Sequence, residues 1–588
     1  MPIKIETVRI TGFRGLSNIE VNLDRTTVLI GMNNAGKTSF LKALQIAFGD
    51  WRFVSEDDFH IDANEIKANA IVIDVLVIPT DDKHQRVPNF DRVWGNVFRN
   101  DIVMDDGGNA FLAFRTTISL NDDQKRFYPS RLFMTEWPSF AEWQENRFIG
   151  RSKVPNLSEH MPYLFQDAQR DITEDIKLRN SPLGRVLSKV KYDEDDISAL
   201  QDLIDELNSE AVKKSDVLSS LQSHLSELGH AIGNRDGNTE ITPFAKQIRD
   251  LAKGIRLNYQ EGANSFSMEY HGMGTKSWAS LLVIKAFVKM LSGERAAENR
   301  AFLPILALEE PEAHLHPNAQ KQLYRQMQDF PGQTIISTHS PYVAARADIG
   351  ELRAFYRGNS GLQVNALPGN LTPDEKRKIQ REVVEGQGEL LFSRILVLQE
   401  GQTETQILSQ MIEAYLGQSS YNLGVTTIHV GGYANYNVFL KVASALKIPV
   451  IVYSDTDDAR VRDKVEKSVL AVYGSASGPE NETIFLDQGN NLEQQLVREG
   501  FRDEVIESLI RYKLQNNDNP KYRNALETQY SSITDEELLT EMTSKKTTYS
   551  HFLGDVFLNN PKGRDESTRF PISITRLCRK IESWWSMG

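Results

Sequence analysis

The chain has 588 residues, 40% of them hydrophobic and 25% charged, the composition of a soluble globular protein too long for one core. Its formal net charge of −13 argues against a surface that is sticky for nucleic acid throughout, though not against a local basic groove or a metal-held phosphate site. The single cysteine, Cys578, excludes a disulfide framework and a Cys-rich zinc module and suits a reducing cytosol, and no apolar run is long enough to span a bilayer.

Residues 1–50 read strand, loop, strand, loop, helix. Ile3, Ile5, Val8 and Ile10 line the first strand, no signal-peptide core precedes them, and a cytoplasmic location is expected. The second strand, Thr27–Ile30, runs into Gly31-Met32-Asn33-Asn34-Ala35-Gly36-Lys37-Thr38, and Ser39 opens a helix to Phe48. This is the G-x-x-x-x-G-K-T phosphate loop in its required strand-to-helix setting. Its glycines let backbone N–H groups close on the phosphates of ATP, Lys37 reaches the β- and γ-phosphates, and the Thr38 hydroxyl ligates Mg²⁺. Arg14, in the turn between the strands, reads equally as a further phosphate contact and as a surface arginine.

Residues 68–79 and 109–119 alternate with period two and predict antiparallel strands. The acidic run from Ser55 to His60 reads as a solvated loop. Farther on, Ile197, Leu200, Leu203, Ile204 and Leu207 mark one amphipathic helix, and Leu218, Leu221, Leu225 and Leu228 mark another. They predict a helical insertion over 161–235, and the leucine stripe does not separate a dimerisation arm from an internal hairpin.

His271–Ser277 is glycine-rich and opens a long apolar helix over Trp278–Leu291. Residues 303–317, LPILALEEPEAHLHP, predict a buried strand ending in Glu309 and Glu310, then a turn carrying His314 and His316. With no cysteine or further histidine nearby, that histidine pair reads as structural. Residues 334–341, TIISTHSP, predict a strand with His339 at its end. This order of motifs resembles the ATP-binding-cassette ATPases. The resemblance puts Glu309 in the Walker B place, where Asp is usual, makes Glu310 the general base that polarises water, and makes His339 the γ-phosphate sensor. It also implies that Gly274 and Ser277 act in trans on ATP held by a second protomer, so that a homodimer or larger homo-oligomer is expected. The glycine-rich segment is not LSGGQ and no Q-loop glutamine stands out, which leaves the rate of hydrolysis open.

Residues 366–390 are polar, with Pro, Gly and a charged helix, and form a boundary. Beyond them the order is strand Arg394–Gln399, helix Thr403–Leu416, strand Val425–Val430, helix Tyr436–Leu446 and strand Ile448–Tyr453. Thr403 and Gln406 have capping-box spacing, which places the helix start at Thr403. The alternation predicts right-handed βαβ units and a parallel sheet. Glu400, Glu404, Asp455 and Asp457 then gather at the C-terminal edge of that sheet, where ligands sit. Four carboxylates in one crevice repel unless cations neutralise them, so Mg²⁺ or Mn²⁺ is expected. Glu493, after a further strand at Thr483–Leu486, reads as an extra ligand or as a helix-start glutamate. Lys562, in Asn560-Pro561-Lys562-Gly563-Arg564, reads as a stabiliser of transition-state charge or as a solvated loop lysine.

E-G-x-T-E followed by D-x-D in this context resembles a Toprim domain. The expected fold is α/β: an ABC-type ATPase head in two halves, 1–160 and 236–365, around the helical insertion, a linker at 366–390, and a Toprim domain over 391–588. The whole arrangement resembles the OLD (overcoming lysogenization defect) family of nucleases, whose relatives include the nuclease subunit of the Gabija system and effectors of some retrons. The resemblance implies a metal-dependent DNA endonuclease or nickase of anti-phage defence, with a helicase or a reverse transcriptase complex as partner. The expected chemistry is two-metal phosphodiester hydrolysis, with Glu400 and Asp455 as core ligands and Glu404, Asp457 and Glu493 around them. ATP, held on a separate domain, would be regulatory. Two other readings stand beside it: an ATP-dependent clamp or repair scaffold, SMC- or RecF-like, with a degenerate Toprim domain, and topoisomerase or primase chemistry. One cysteine excludes a zinc-bearing primase, and none of the 18 tyrosines stands in a recognisable nucleophile context.

Overall fold

A computed structural model describes residues 2–49, 54–62, 64–119, 127, 129–144, 150–168, 194–226, 258–261, 264–358, 361–368, 371–456, 459–487, 489–515, 519–544, 546–560, 563–565 and 568–587. The chain forms two compact units, one of residues 1–165, 303–310 and 316–588, the other of 166–302 and 311–315.

Among the described residues, the first unit contains three sheets. In the first, Ala70–Pro79 pairs antiparallel with Ala110–Ser119 on one side and with Ile3–Thr11 on the other, as period-two alternation predicts. Asp74, fully buried in this sheet, is gripped by Arg115 through Nε (2.8 Å) and Nη2 (2.7 Å), and Trp143 Nε1 donates to its Oδ2 at 2.7 Å. A carboxylate is stable at such depth only because its charge and lone pairs are met.

The second sheet is largely parallel. Thr26–Ile30 lies between Gln333–Ser337 and Leu352–Gly358, and Ile305–Glu309 pairs beyond Gln333–Ser337. Thr26–Ile30 and Gln333–Ser337 are buried at every position, hence their continuous apolar runs. Because these strands are parallel, Gly31, Glu309, Glu310 and His339 all emerge at one edge.

A connecting segment follows. Thr372 caps the helix Pro373–Lys378, which widens into π-helical turns over Ile379–Glu385. Gln380 Nε2 donates to the carbonyls of Ala345 (3.4 Å) and Ala347 (3.3 Å), and Glu375 pairs with Lys441 on the helix Tyr436–Leu446.

The third sheet orders its four strands Val425–His429, Ile395–Gln399, Val450–Ser454 and Asn481–Phe485, all parallel. Ile395, Val397, Ile451 and Tyr453 share one buried core with Ile407 and Met411 of the helix Gln402–Leu416, Leu553 of Lys546–Asn559, and Leu577 and Ile581 of Ile572–Met587. The capping box expected at Thr403 is not formed. The helix starts at Gln402 with Gly401 as its N-cap, and the Gln406 side-chain oxygen Oε1 instead accepts from Ser550 Oγ at 2.6 Å.

In the second unit the amphipathic pattern appears as the helices Glu194–Lys213 and Asp216–Ser226, with Leu203, Leu207 and Leu221 facing outward. The glycine-rich helix spans Met273–Ala297, longer at both ends than its apolar run because Glu294, Arg295 and two alanines are good helix formers. Among the described residues no helix is long and apolar enough to cross a membrane.

Candidate functional site

At the edge of the second sheet, Gly31 has φ +137°, and a Cβ there would lie 2.3 Å from the Phe355 carbonyl oxygen, so only glycine fits. The loop then passes the exposed Asn33 and Asn34, and Gly36 N-caps the helix Lys37–Phe48, which carries Thr38 and Ser39 in its first turn. Lys37 is buried, and its Nζ donates to the carbonyls of Gly31 (2.7 Å) and Met32 (2.9 Å). The Thr38 hydroxyl donates to Glu309 Oε1. His339 Nε2 lies 3.5 Å from Glu310 Oε1, and burial, then the charge of Lys37, hold the imidazole below its ordinary proton affinity. Glu310 itself sits at φ +42°, a strained conformation for a side-chain-bearing residue, with its N–H donating to Ser337. A hydroxyl beside a carboxylate, with a lysine above them, is the donor set for a nucleotide's phosphates and their Mg²⁺.

Arg14 Nε pairs with Asp58 Oδ1 at 2.8 Å, and Asp58 is buried rather than solvated with the rest of its acidic run. His316 caps the helix Pro317–Gln328, its Nδ1 accepting from the Asn318 N–H at 3.3 Å. Within the second unit, Gly274 lies so close to the His314 carbonyl that a Cβ would come within 2.4 Å of it, and the buried Ser277 accepts from Gln166 Nε2 through its own carbonyl.

The acidic site stands at the third sheet's C-terminal edge. Glu400 follows Ile395–Gln399, Asp455 follows the adjacent Val450–Ser454, and both are half-buried. Glu404, one turn into the helix, is only 6% exposed. Its Oε2 occupies the space beside Gly401, where a Cβ would be 2.5 Å away. The fully buried phenol of Tyr436 marks the meeting point. Burial, then the charges of Glu400 and Asp455, and less strongly Glu404, push its proton affinity well above the ordinary value. Glu493 belongs to the same neighbourhood. It is 2% exposed, its Oε1 accepts from Tyr549 OH at 2.6 Å, and that phenol is raised by burial, by Glu493 and by Glu404. Asp457 and Lys562 lie outside the described residues.

Tyr436 and Tyr549 escaped the sequence reading. One opens a helix after a glycine pair, the other lies within a late helix, and neither has a local motif. The candidate donors at this edge are all carboxylate oxygens, the chemistry that suits Mg²⁺ or Mn²⁺. Among the described residues no three acid or histidine side chains are already gathered to enclose an ion. Mg²⁺ does not require such a cage, because it keeps several waters and is ordinarily held by one or two carboxylates with substrate phosphates.

Residues 3–127 and 142–344 match the family model of the AAA ATPase domain. The chain belongs to this ATPase family. Residues 391–457 match the TOPRIM domain of overcoming lysogenization defect protein-like chains, so the ATPase head is joined to an OLD-like Toprim domain. The chain is similar to the OLD nuclease of Thermus scotoductus, 22% identical over 474 residues that cover 77% of this chain and 82% of the relative. It is similar to endonuclease GajA of Bacillus cereus, 20% identical over 550 residues, 87% of this chain and 86% of the relative. Among solved structures, the C-terminal region of the Xanthomonas campestris pv. campestris OLD protein aligns with 33% of this chain and 98% of its own length, at 22% identity and a TM-score of 0.25.

Proposed function

We propose that the chain is a metal-dependent DNA endonuclease or nickase whose cutting site is controlled by nucleotide in its ATPase head, and that it serves in anti-phage defence in the cytoplasm. The observation that carries this reading is that Glu400 and Asp455 directly follow adjacent parallel strands at one sheet edge, with the nearly buried Glu404 packed against Gly401 beside them. The OLD-like Toprim match and the nuclease names of two relatives support it.

Glu400 and Asp455 are the residues that would hold Mg²⁺ or Mn²⁺, with Glu404, Glu493 and Asp457 completing the set. Such ions, when bound, supply an activated water and neutralise charge on the leaving 3′ oxygen. The protein's own part is positioning. Tyr549 donates to Glu493 and fixes one carboxylate oxygen. The bare Cα of Gly401 leaves room for Glu404 to face the strand ends. Lys562 is assigned to transition-state charge.

In the head, Lys37, Thr38 and Glu309 would hold the phosphates and Mg²⁺, Glu310 would orient water, and His339 would read the γ-phosphate. Gly274 and Ser277 serve a second protomer's ATP, so the working unit is a homo-oligomer, with a helicase or a reverse transcriptase complex as its defence partner. ATP-bound heads restrain the cutting site, and nucleotide loss or a partner's signal releases it.

The test uses supercoiled plasmid with Mg²⁺ or Mn²⁺. Nicked and linear products are expected from the wild type and none from Glu400→Ala or Asp455→Ala, while both variants still bind ATP. Undiminished metal-dependent cutting by the variants sinks the site assignment. Relaxed closed topoisomers point to a topoisomerase, and unchanged plasmid points to a clamp.

A further inference from the structure

Resting on the nuclease reading, we infer that a basic pocket between the helix Ile572–Met587 and the edge strand Asn481–Phe485 grips the phosphate backbone of DNA as it leaves the carboxylate site. The pocket has a volume of about 360 Å³ and is lined by Arg576, Arg579, Lys580, Thr575, Ser583 and Glu482, with Ile572 at its edge. Among the described residues its only acid is Glu482, 6% exposed, which pairs with Arg576 Nη2 and, at 3.5 Å, with Lys580 Nζ, and accepts from Ser477 Oγ at 2.5 Å. One buried carboxylate thus faces three cations. It aims two of them and leaves an excess of positive charge at the mouth, in a chain of net charge −13. Arg579 is exposed and, among the described residues, makes no ion pair. The hydroxyls of Thr575 and Ser583 add donors. Guanidinium forks with hydroxyls on a wet rim are groups that hold phosphate oxygens.

The position of the helix connects this pocket to the cutting site. Tyr453 OH meets Ser573 Oγ at 3.0 Å, and Tyr453 stands two residues before Asp455 on the central strand. At about 1.5 Å per residue, Arg576 and Arg579 lie roughly 5 and 9 Å along the helix from Ser573. That stretch is on the scale of the separation between neighbouring phosphates of one strand. A backbone leaving the carboxylates toward Ser573 therefore meets Arg576 and then Arg579.

The experiment measures binding of a fluorescent duplex in the full-length Glu400→Ala chain, where cutting does not consume the probe. Arg579→Glu should raise Kd about tenfold, Arg579→Ala should lower the salt-dependence slope by about 1, and Arg579→Lys should stay within about twofold of its parent. Lys467→Glu, an exposed charge reversal on the helix Ala459–Tyr473, controls for the general field and should leave Kd within about twofold. An unchanged Kd and slope in the Arg579 variants overturns the inference, as does an equal loss in Lys467→Glu. So does an Arg579→Glu chain that loses only its thermal stabilisation by inorganic phosphate, since the pocket would then take a small anion. The two readings fail separately. If the wild type cuts no plasmid but Arg579→Glu still weakens duplex binding, the nuclease reading falls and the pocket stands. If the wild type cuts and duplex binding ignores Arg579, the pocket falls.

Discussion

Gly401→Ala is the sharpest perturbation of the acidic site. The backbone there is extended, φ −122° and ψ 168°, so alanine adopts it without strain. The new methyl would stand 2.5 Å from Glu404 Oε2 and 3.4 Å from its Cδ. The oxygen must retreat by about 0.9 Å to reach ordinary contact near 3.4 Å. Glu404 is 6% exposed, so the carboxylate moves within the site rather than out into water. A misplacement of about 1 Å in a positioning group costs on the order of 10²-fold in rate. The atom that yields is the end of a side chain, and alanine is only a poorer N-cap than glycine, so stability should fall by about 1 kcal/mol or less. Plasmid nicking, ATP binding and thermal melting of the same preparation separate these effects. Nicking should drop about a hundredfold with ATP binding intact, and adding Glu404→Asp, which shortens the crowded side chain, should restore part of it. Nicking within about twofold of wild type would falsify the claim that Glu404 is held in place for the reaction.

Lys37→Ala removes the ammonium that faces the phosphate loop; plasmid nicking by the wild type should fall as ATP is raised, whereas the variant should give a flat curve, and identical curves would mean that the head does not control cutting. Asp74→Asn leaves the Arg115 charge buried without its partner and should cost about 3–5 kcal/mol, read from the urea midpoint of tryptophan fluorescence; a loss under about 1 kcal/mol would contradict the buried-pair argument. Glu375 is held at about 2, below its usual 4.5, first by Lys441 and then by the Thr372 cap. A carboxyl depressed in the folded state contributes stability above 4.5 that is lost as pH falls toward about 2. The melting temperatures of wild type and Glu375→Gln should therefore differ at neutral pH and converge over that range, and a gap that ignores pH would count against the pair.

The phosphate loop, Glu309, Glu310 and His339 were legible because fixed spacing in strand-to-helix settings leaves few folds open, and parallel pairing brings their ends to one edge. Glu400 and Asp455 were legible for the same reason, each directly following a run of apolar residues. Glu493 was ambiguous because its role depends on Tyr549, which reaches it from a helix 56 residues away. Tyr436 looks like any residue opening an amphipathic helix until the sheet closes over it. The Thr403 cap was misread because capping-box spacing does not reveal that Ser550, much later in the chain, engages Gln406. The pocket around Arg579 was hidden for a similar reason: Glu482 and Arg576 meet across 94 residues, and either alone is an ordinary surface charge.

The pairing of Ile395–Gln399 with Val450–Ser454 also bears on biosynthesis. Leu396 meets Val450 only after an intervening helix, strand and helix have emerged, and such non-local parallel contacts form late. Tyr549 and Ser573 arrive later still, on helices that follow every strand of that sheet. The ATPase motifs up to His339 can therefore fold while the acidic residues are still unbuilt. A nascent or prematurely ended chain then carries nucleotide-binding machinery without an assembled acidic site.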